Sequence, residues 1–224
     1  MCGRYAFFSP GEAVVRLFGL LRPVEIAPRY NLAPMQWIPA VRDDAAGGRS
    51  VVLLRWGLLP SWARDSRMAS RMINARAETV GAKPAFRAAF RRRRCLVPAD
   101  GWYEWQATAG GRQPWFLHRR DGQPFGMAGL WERWAPEDDG ADPVETCTII
   151  TTAAMPGIAA IHDRMPVVIP ARAFGTWLDA GTRDDAALEA LLRANEEADW
   201  TAHRVSRRVN DARNDGADLV TPVD

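Results

Sequence analysis

The chain has 224 residues, of which 47% are hydrophobic and 25% charged, with a net charge of +2. That length suits one domain with a substantial core, and so mild a charge does not by itself indicate nucleic acid. No apolar run approaches the ~20 residues of a bilayer-spanning helix, and no apolar h-region follows the first basic residue, so neither a membrane span nor a secretory leader is expected.

In chain order, GRYAFF (3–8) reads as a first strand. SPGEAVVRLFGL then reads as a helix, with Ser9 as N-cap, Pro10 in the first position and Glu12 completing a capping box. WIPAV (37–41) and VVLLRW (51–56) suggest strands around the turn-rich DDAAGG. FRAAFRRRR (86–94) is expected to be a short helix ending in a basic cluster, and CLVPADGWYEW (95–105) a strand broken by a turn at Pro98–Gly101. PWFLHR, FGMAGLWER and VETCTIITT suggest three more strands, with the acidic APEDDGADP as an exposed loop. A second capped helix, RDDAALEALLRAN, follows Thr182; HRVSRRVN (203–210) reads as a late strand and the final residues as loosely ordered. Many strands, few helices and no regular βαβ alternation predict an α+β fold in one domain spanning 1–224.

The cysteines, Cys2, Cys95 and Cys147, are odd in number and widely spaced, with no CxxC. His118, His162 and His203 form no ligand pair at helical spacing. No metal site is expected, and reduced thiols in the cytoplasm are the simpler reading. Lys83 is the one lysine; every other basic residue is arginine, whose planar fork suits phosphate, although a GC-rich coding bias accounts for most of the excess.

Four places carry candidate chemistry. Cys2 follows the start methionine, and its small size permits Met1 removal, which would leave an α-amine and a thiol on one residue. Gly3 allows close approach, and Arg4 would favour a thiolate and attract phosphate. The alternative is an incidental cysteine near a frayed end. In ADGWYEW, Glu104 points opposite to Tyr103 and Trp105 on an alternating strand, and desolvation among aromatics would raise its pKa toward acid–base use. A half-exposed surface glutamate is the commoner case. In INARAET, Asn74 and Arg76 share a face if extended, so one could hold a reacting group and the other a phosphate; Asn74 could equally cap a helix. In IHDRMPVVI, His162 stands beside Asp163 and Arg164 at the mouth of a strand, suited to proton transfer, though a lone histidine is more often structural.

Together these stretches resemble one family. MCGRY, YNLAP (30–34), RWGLLPSWA (55–63), INARAET (73–79), RRCLVPADGWYEW (93–105), MAGLWE (127–132), IHDRMPVVI (161–169) and VSRRVND (205–211) occur in an order similar to that of the SOS response-associated peptidase (SRAP) proteins, the abasic-site processing family. The resemblance covers nearly the whole chain. It implies a compact α+β domain with a curved, barrel-like, mainly antiparallel sheet arrangement and peripheral helices. It implies a sensor of abasic sites in single-stranded DNA that forms a covalent thiazolidine crosslink. Cys2 would be the nucleophile after Met1 is lost by the protein's own peptidase action. Asn74 would position reacting groups, and Glu104 and His162 would shuttle protons. Arg4, Arg76 and Arg164 would hold phosphates, with Trp62 and Trp105 against the bases. No cofactor is implied, and a monomer in the cytoplasm, on the nucleoid when bound to DNA, is expected. One departure is visible: some bacterial members carry two adjacent tryptophans where this chain has Trp62 and Ala63.

The residue types fit that chemistry. The open form of an abasic site is an aldehyde, which an unprotonated amine attacks. An α-amine has a reference pKa near 7.7–8.0, so roughly a tenth is free at neutral pH. The neighbouring thiol then closes a five-membered ring intramolecularly. Three rivals remain at this level. An N-terminal-nucleophile amidotransferase can also begin Met-Cys-Gly, but this chain lacks the accompanying Asn-Gly and His-Thr-Arg stretches. A cysteine peptidase acting on other proteins is the second, and a non-catalytic single-strand binder, which would tolerate Cys2→Ala, is the third.

Overall fold

The structure is a computed structural model describing residues 2–44, 47–136, 142–182, 184–193 and 199–224. In the described residues the strands are β1 (Tyr5–Phe7), β2 (Arg29–Leu32), β3 (Trp37–Asp43), β4 (Arg49–Trp56), β5 (Asn74–Arg76), β6 (Arg94–Ala99) and β7 (Gly101–Thr108). They continue with β8 (Gly111–Arg119), β9 (Phe125–Trp134), β10 (Val144–Ala153), β11 (Arg164–Pro166), β12 (Val168–Ile169) and β13 (Trp200–Arg204). The helices are α1 (Gly11–Phe18), α2 (Arg87–Arg92), α3 (Pro156–Ala159), α4 (Phe174–Leu178) and α5 (Asp185–Leu191).

Strands β10, β4, β3, β6 and β9 pair in that order, and β9 pairs back to β10. The result is a closed barrel, antiparallel except where β4 runs parallel to β10. Closure leaves these strands few unpaired edges. β5 and β11 extend it alongside β10, and β12 alongside β9. The second sheet is antiparallel throughout, in the order β13–β8–β7–β1–β2. The chain passes from barrel to second sheet at Asp100, between β6 and β7. This is an α+β fold of the expected kind.

The apolar run RCLVPA is buried at all six positions of β6 because both of its faces are covered. α4 packs against it, and the indole Nε1 of the fully buried Trp177 donates to the Cys95 carbonyl at 2.9 Å. The buried Trp56 likewise donates to the Ile73 carbonyl at 2.8 Å, so neither ring leaves its polar atom unsatisfied. The basic cluster after α2 splits by burial. Arg91 and Arg92 are exposed, whereas Arg94 turns inward and donates to the carbonyls of Phe90 (2.7 Å), Trp177 (2.5 Å) and Asp179.

Gly101 opens β7, where only a hydrogen in place of a side chain is tolerated. A Cβ there would lie 2.3 Å from Phe116 Cζ and 2.6 Å from the Leu117 carbonyl oxygen. Phe116 could shift, but the β8 backbone cannot without breaking its pairing. Gly101→Ala should therefore cost about 1–3 kcal/mol as overpacking. Thermal unfolding should read a Tm lowered by several degrees; an unchanged Tm would mean that the β7–β8 pair is looser than described.

Several local expectations need correction. Ser9 does not cap α1: its hydroxyl goes to the Asp100 carboxylate, and the N-cap is Pro10 with no side-chain bond. A tertiary acceptor has outcompeted the local box. α5 is capped by Asp184, which accepts from Ala187 N at 3.1 Å, while Thr182 donates to Asp179 at 2.9 Å. HRVSRRVN is not one strand, since β13 ends at Arg204 and Arg207–Asn210 form a 3₁₀ turn. The final residues are not loose: Leu219 is buried and Val223 N donates to the Arg204 carbonyl at 3.0 Å. Residues 137–141 of the acidic loop, 45–46 of DDAAGG, and 183 and 194–195 of the last helical stretch lie outside the described residues.

Candidate active site

The start of the chain is brought to β7 by one buried carboxylate. Asp100 accepts from the backbone N–H groups of Phe8 (2.6 Å) and Ser9 (2.8 Å) as well as the Ser9 hydroxyl. This locks the end of β1 to the corner between the two sheets. β1 then runs antiparallel to β7, with Tyr5 opposite Trp102 and Ala6 opposite Gly101. Tyr103 N donates to the Arg4 carbonyl at 2.9 Å. Continuing that register brings residues 2–3 alongside Glu104 and Trp105.

Cys2 is fully buried. Burial pushes its thiol pKa far up, and the nearby Glu104 carboxylate adds in the same direction. The expectation that Arg4 would favour a thiolate is therefore not met. Its Nη1 is taken up by Asn31 Oδ1 at 2.8 Å and the Val209 carbonyl at 2.7 Å.

Glu104 is only 2% exposed, and that burial raises its pKa to about 7, the range in which a carboxyl group can both give and take a proton. His162 Nε2 lies 3.8 Å from Glu104 Oε2. The Arg164 backbone N–H donates to His162 Nδ1 at 3.0 Å, which leaves the neutral ring's proton on Nε2, facing Glu104. Asp163 Oδ1 is 3.1 Å from the same Nδ1 and becomes its partner only when the ring is doubly protonated. Burial lowers the His162 pKa, so the neutral ring predominates at neutral pH.

The turn that carries His162 is pinned to β7 by Gln106. This side chain, on the same face of β7 as Glu104, donates to the Ala160 carbonyl at 2.9 Å and accepts from Trp115 Nε1 at 3.1 Å. Sequence reading missed it, because a single glutamine two residues beyond a glutamate carries no signal of a partner 54 residues away.

The structure thus brings Cys2, Glu104 and His162 together. Asn74 and Arg76 point to one face of β5, with Ala75 buried on the other. Asn74 Nδ2 donates to the Ile149 carbonyl at 3.3 Å, and its buried Oδ1 has no hydrogen-bond partner among the described residues. It does not cap a helix. Arg76 is exposed, with no ion pair among the described residues. β11 flanks β10 on its other side, so Arg164 reaches back across β10. There it donates to the Thr151 carbonyl at 2.7 Å and forks onto Glu78 at 2.6 and 3.0 Å. Its charge is opposed by a carboxylate, so a phosphate would compete with Glu78.

Trp105 Nε1 donates to Asn210 Oδ1 at 2.7 Å, and the Arg4 guanidinium carbon lies 5.9 Å from the Trp105 ring centroid. Trp62 stands apart, 57% exposed, while its neighbour Ala63 is buried and accepts from Trp134 Nε1 at 2.6 Å. His118 and His203 belong elsewhere: they form an edge contact at 5.3 Å and bond backbone carbonyls. Arg112, across the β7–β8 hairpin, bears electrostatically on His162 and was also missed. Among the described residues no group of three or more His, Cys, Asp or Glu side chains could hold a metal ion, and no helix is long and apolar enough to cross a membrane.

Comparison with known proteins adds to this geometry. The abasic site processing protein YoqW of Bacillus subtilis (strain 168) is 38% identical over 225 residues, covering 98% of this chain and 99% of its own. The abasic site processing protein YedK of Escherichia coli (strain K12) is 32% identical, with both chains covered in full. A solved structure of a Bacteroides thetaiotaomicron protein shares the fold, with a TM-score of 0.84 at 24% identity, over 99% of this chain and 100% of that one. The family model described as SOS response associated peptidase (SRAP) matches residues 1–212. On this match, and on its similarity to full-length relatives, the chain belongs to the SOS response associated peptidase (SRAP) family.

Proposed function

We propose that this protein, acting as one domain over 1–224, captures abasic sites in single-stranded DNA as a covalent thiazolidine on Cys2, after Met1 has been removed. The observation that carries this reading is the buried Glu104, poised near pH 7 beside the Cys2 thiol and within 3.8 Å of His162. The names of YoqW and YedK support abasic-site processing as the general role.

The Cys2 α-amine adds to the aldehyde carbon of the ring-opened sugar, and the carbinolamine loses water to give a protonated imine, whose nitrogen keeps its hydrogen. Protonated Glu104 supplies the proton for the departing hydroxyl. The carboxylate so formed then takes the thiol proton as sulfur bonds to the imine carbon, which returns Glu104 to its starting state. His162 relays protons for sugar ring opening through Nε2. Asn74, with a free acceptor at Oδ1, orients the carbinolamine. The product is one C–N and one C–S bond for one water lost. Arg76 and Arg4 neutralise phosphates, Arg164 joins them when phosphate displaces Glu78, and Trp62 and Trp105 support unstacked bases.

The N-terminal-nucleophile hydrolase reading would use the same residue, with the α-amine as base for the thiol. The family match and the names of YoqW and YedK favour the abasic-site reading over it.

A denaturing gel with single-stranded DNA bearing one abasic site tests the proposal: a heat-stable shifted band is expected, and its absence would refute it. Intact mass of the active protein should lack Met1. Binding should be single-strand selective, largely indifferent to sequence and salt-sensitive. Arg76→Ala should flatten the slope of log affinity against log salt by about 0.7, the value for one phosphate contact on a single strand. Unchanged affinity and slope would remove Arg76 from the DNA surface.

A further inference from the structure

YNLAP and VSRRVND have no part in the chemistry above, yet they meet beneath Arg4. Asn31 is fully buried on β2. Its Nδ2 donates to the carbonyls of Asn214 (2.8 Å), Asp211 (3.1 Å) and Val209 (3.3 Å), which lays residues 206–214 as a strap across the strand. Its Oδ1 accepts from Arg4 Nη1 at 2.8 Å, and the Val209 carbonyl of the same strap accepts from that nitrogen at 2.7 Å. Asn210, also on the strap, accepts from Trp105 Nε1 at 2.7 Å.

The kind of partner matters more than the number. Arg164 is oriented by a carboxylate, whereas Arg4 is oriented by an amide oxygen and a carbonyl, both neutral. Its position is set with no carboxylate hydrogen-bonded to it among the described residues. Asp211, whose carboxylate bears electrostatically on Arg4, is itself engaged by Arg213 at 2.7 Å. An amide suits this junction: a carboxylate would neutralise Arg4 and repel three carbonyl oxygens, and a hydroxyl is too short to reach both sides.

We propose that Asn31 is a positioning residue, holding Arg4 as a cation with neutral bonded partners, available to a DNA phosphate, and, through the strap, registering Arg4 with Trp105. This rests on the single-stranded DNA reading above.

The test compares wild type, Asn31→Asp, Asn31→Ser, Arg4→Gln and the double variant Asn31→Asp/Arg4→Gln. The readout is affinity for an unmodified single-stranded oligonucleotide from 50 to 200 mM salt. Asn31→Asp keeps the size and an acceptor for Arg4 but adds a negative charge. Its salt slope should fall by about 0.7, so that its deficit is nearly threefold larger at 50 than at 200 mM salt. Arg4→Gln should lose the same slope, and the double variant no more than either single. Asn31→Ser leaves Arg4 charged, so it should bind more weakly with the wild-type slope. A wild-type slope in Asn31→Asp, or an Asn31→Ser slope as low as that of Asn31→Asp, would overturn the proposal. Should the aspartate variant fail to fold, a wild-type slope in Arg4→Gln would overturn it equally. Wild type with no salt-dependent binding would instead sink the underlying DNA reading.

Discussion

Cys2→Ser should turn a heat-stable adduct into a labile one. The variant keeps the terminal amine, so it can still form an imine with the aldehyde. What it loses is the thiol that closes the ring. Well-oriented intramolecular closures draw on effective molarities of about 10⁵ M or more, so losing the internal nucleophile should lower the heat-stable yield by ~100-fold or more. The remaining imine should be trapped by borohydride and should nick the strand by β-elimination. An adduct as heat-stable as wild type would show that sulfur does not form the final bond. Cys95 and Cys147 provide the control, because both are internal to barrel strands, on β6 and β10, and carry no free α-amine with which to close a five-membered ring.

Glu104→Gln should lower the crosslinking rate by about 10²–10⁴-fold with little change in DNA affinity, the usual cost of losing a positioned acid–base group. Its pH dependence is more specific. In wild type the free amine increases up to its reference pKa near 8, while protonated Glu104 declines above about 7. The rate should therefore level off between about 7 and 8 and fall beyond. In Glu104→Gln it should keep rising to about 8. A wild-type rate in the variant would exclude Glu104 from the mechanism.

Stability should move the other way. The carboxyl group is raised by burial from its ordinary 4.5 to about 7. Between these values the unfolded chain releases the proton and the native state retains it. The contribution of Glu104 to wild-type stability thus falls as pH rises from 4.5 to 7 and is level outside that window. Glutamine has no such loss, so above pH 7 the variant should be the more stable, by up to about 3 kcal/mol, with the gap closing below pH 4.5. Denaturant titrations at pH 4 and 8 would show it. This is the trade expected where a poised acid is kept in an apolar surround.

Part of the candidate site was legible in the sequence because it depends on local features. Cys2 is singled out by its position directly after Met1. Glu104 stands among aromatics on a strand, which points to a desolvated carboxylate, although alternation alone makes a half-exposed surface glutamate the commoner case; its burial to 2% exposure is what the fold adds. Asn74 and Arg76 share a face by the same period of two. The break between β6 and β7 is expected as a turn at Pro98–Gly101, and the structure narrows it to Asp100, with Pro98 still paired in β6 and Gly101 already in β7.

What stayed hidden was set by long-range pairing. Ser9 has good capping chemistry, yet its hydroxyl is claimed by a carboxylate 91 positions away. Arg164 reads as a free cation until Glu78, 86 positions distant, forks onto it. Arg4 beside Cys2 suggests a thiolate, but burial decides the thiol's state and Asn31 decides where the guanidinium goes. The last residues look disordered by composition and are ordered because Asn31 and Arg204 supply partners for their backbone. Register could be guessed within a strand but not between strands, and the junctions of the site lie between strands.

The central claim is that the amine and thiol of one residue, Cys2, both bond to the lesion. Its most direct test is to digest the crosslink with protease and nuclease and determine the mass and fragmentation of the modified peptide. The claim predicts one modified peptide, beginning at Cys2, carrying the opened sugar with loss of one water and with neither its amine nor its thiol open to alkylation; Lys83→Ala should give the same product. Modification at Lys83, at the one lysine of the chain, or at a Cys2 still preceded by Met1, would contradict it.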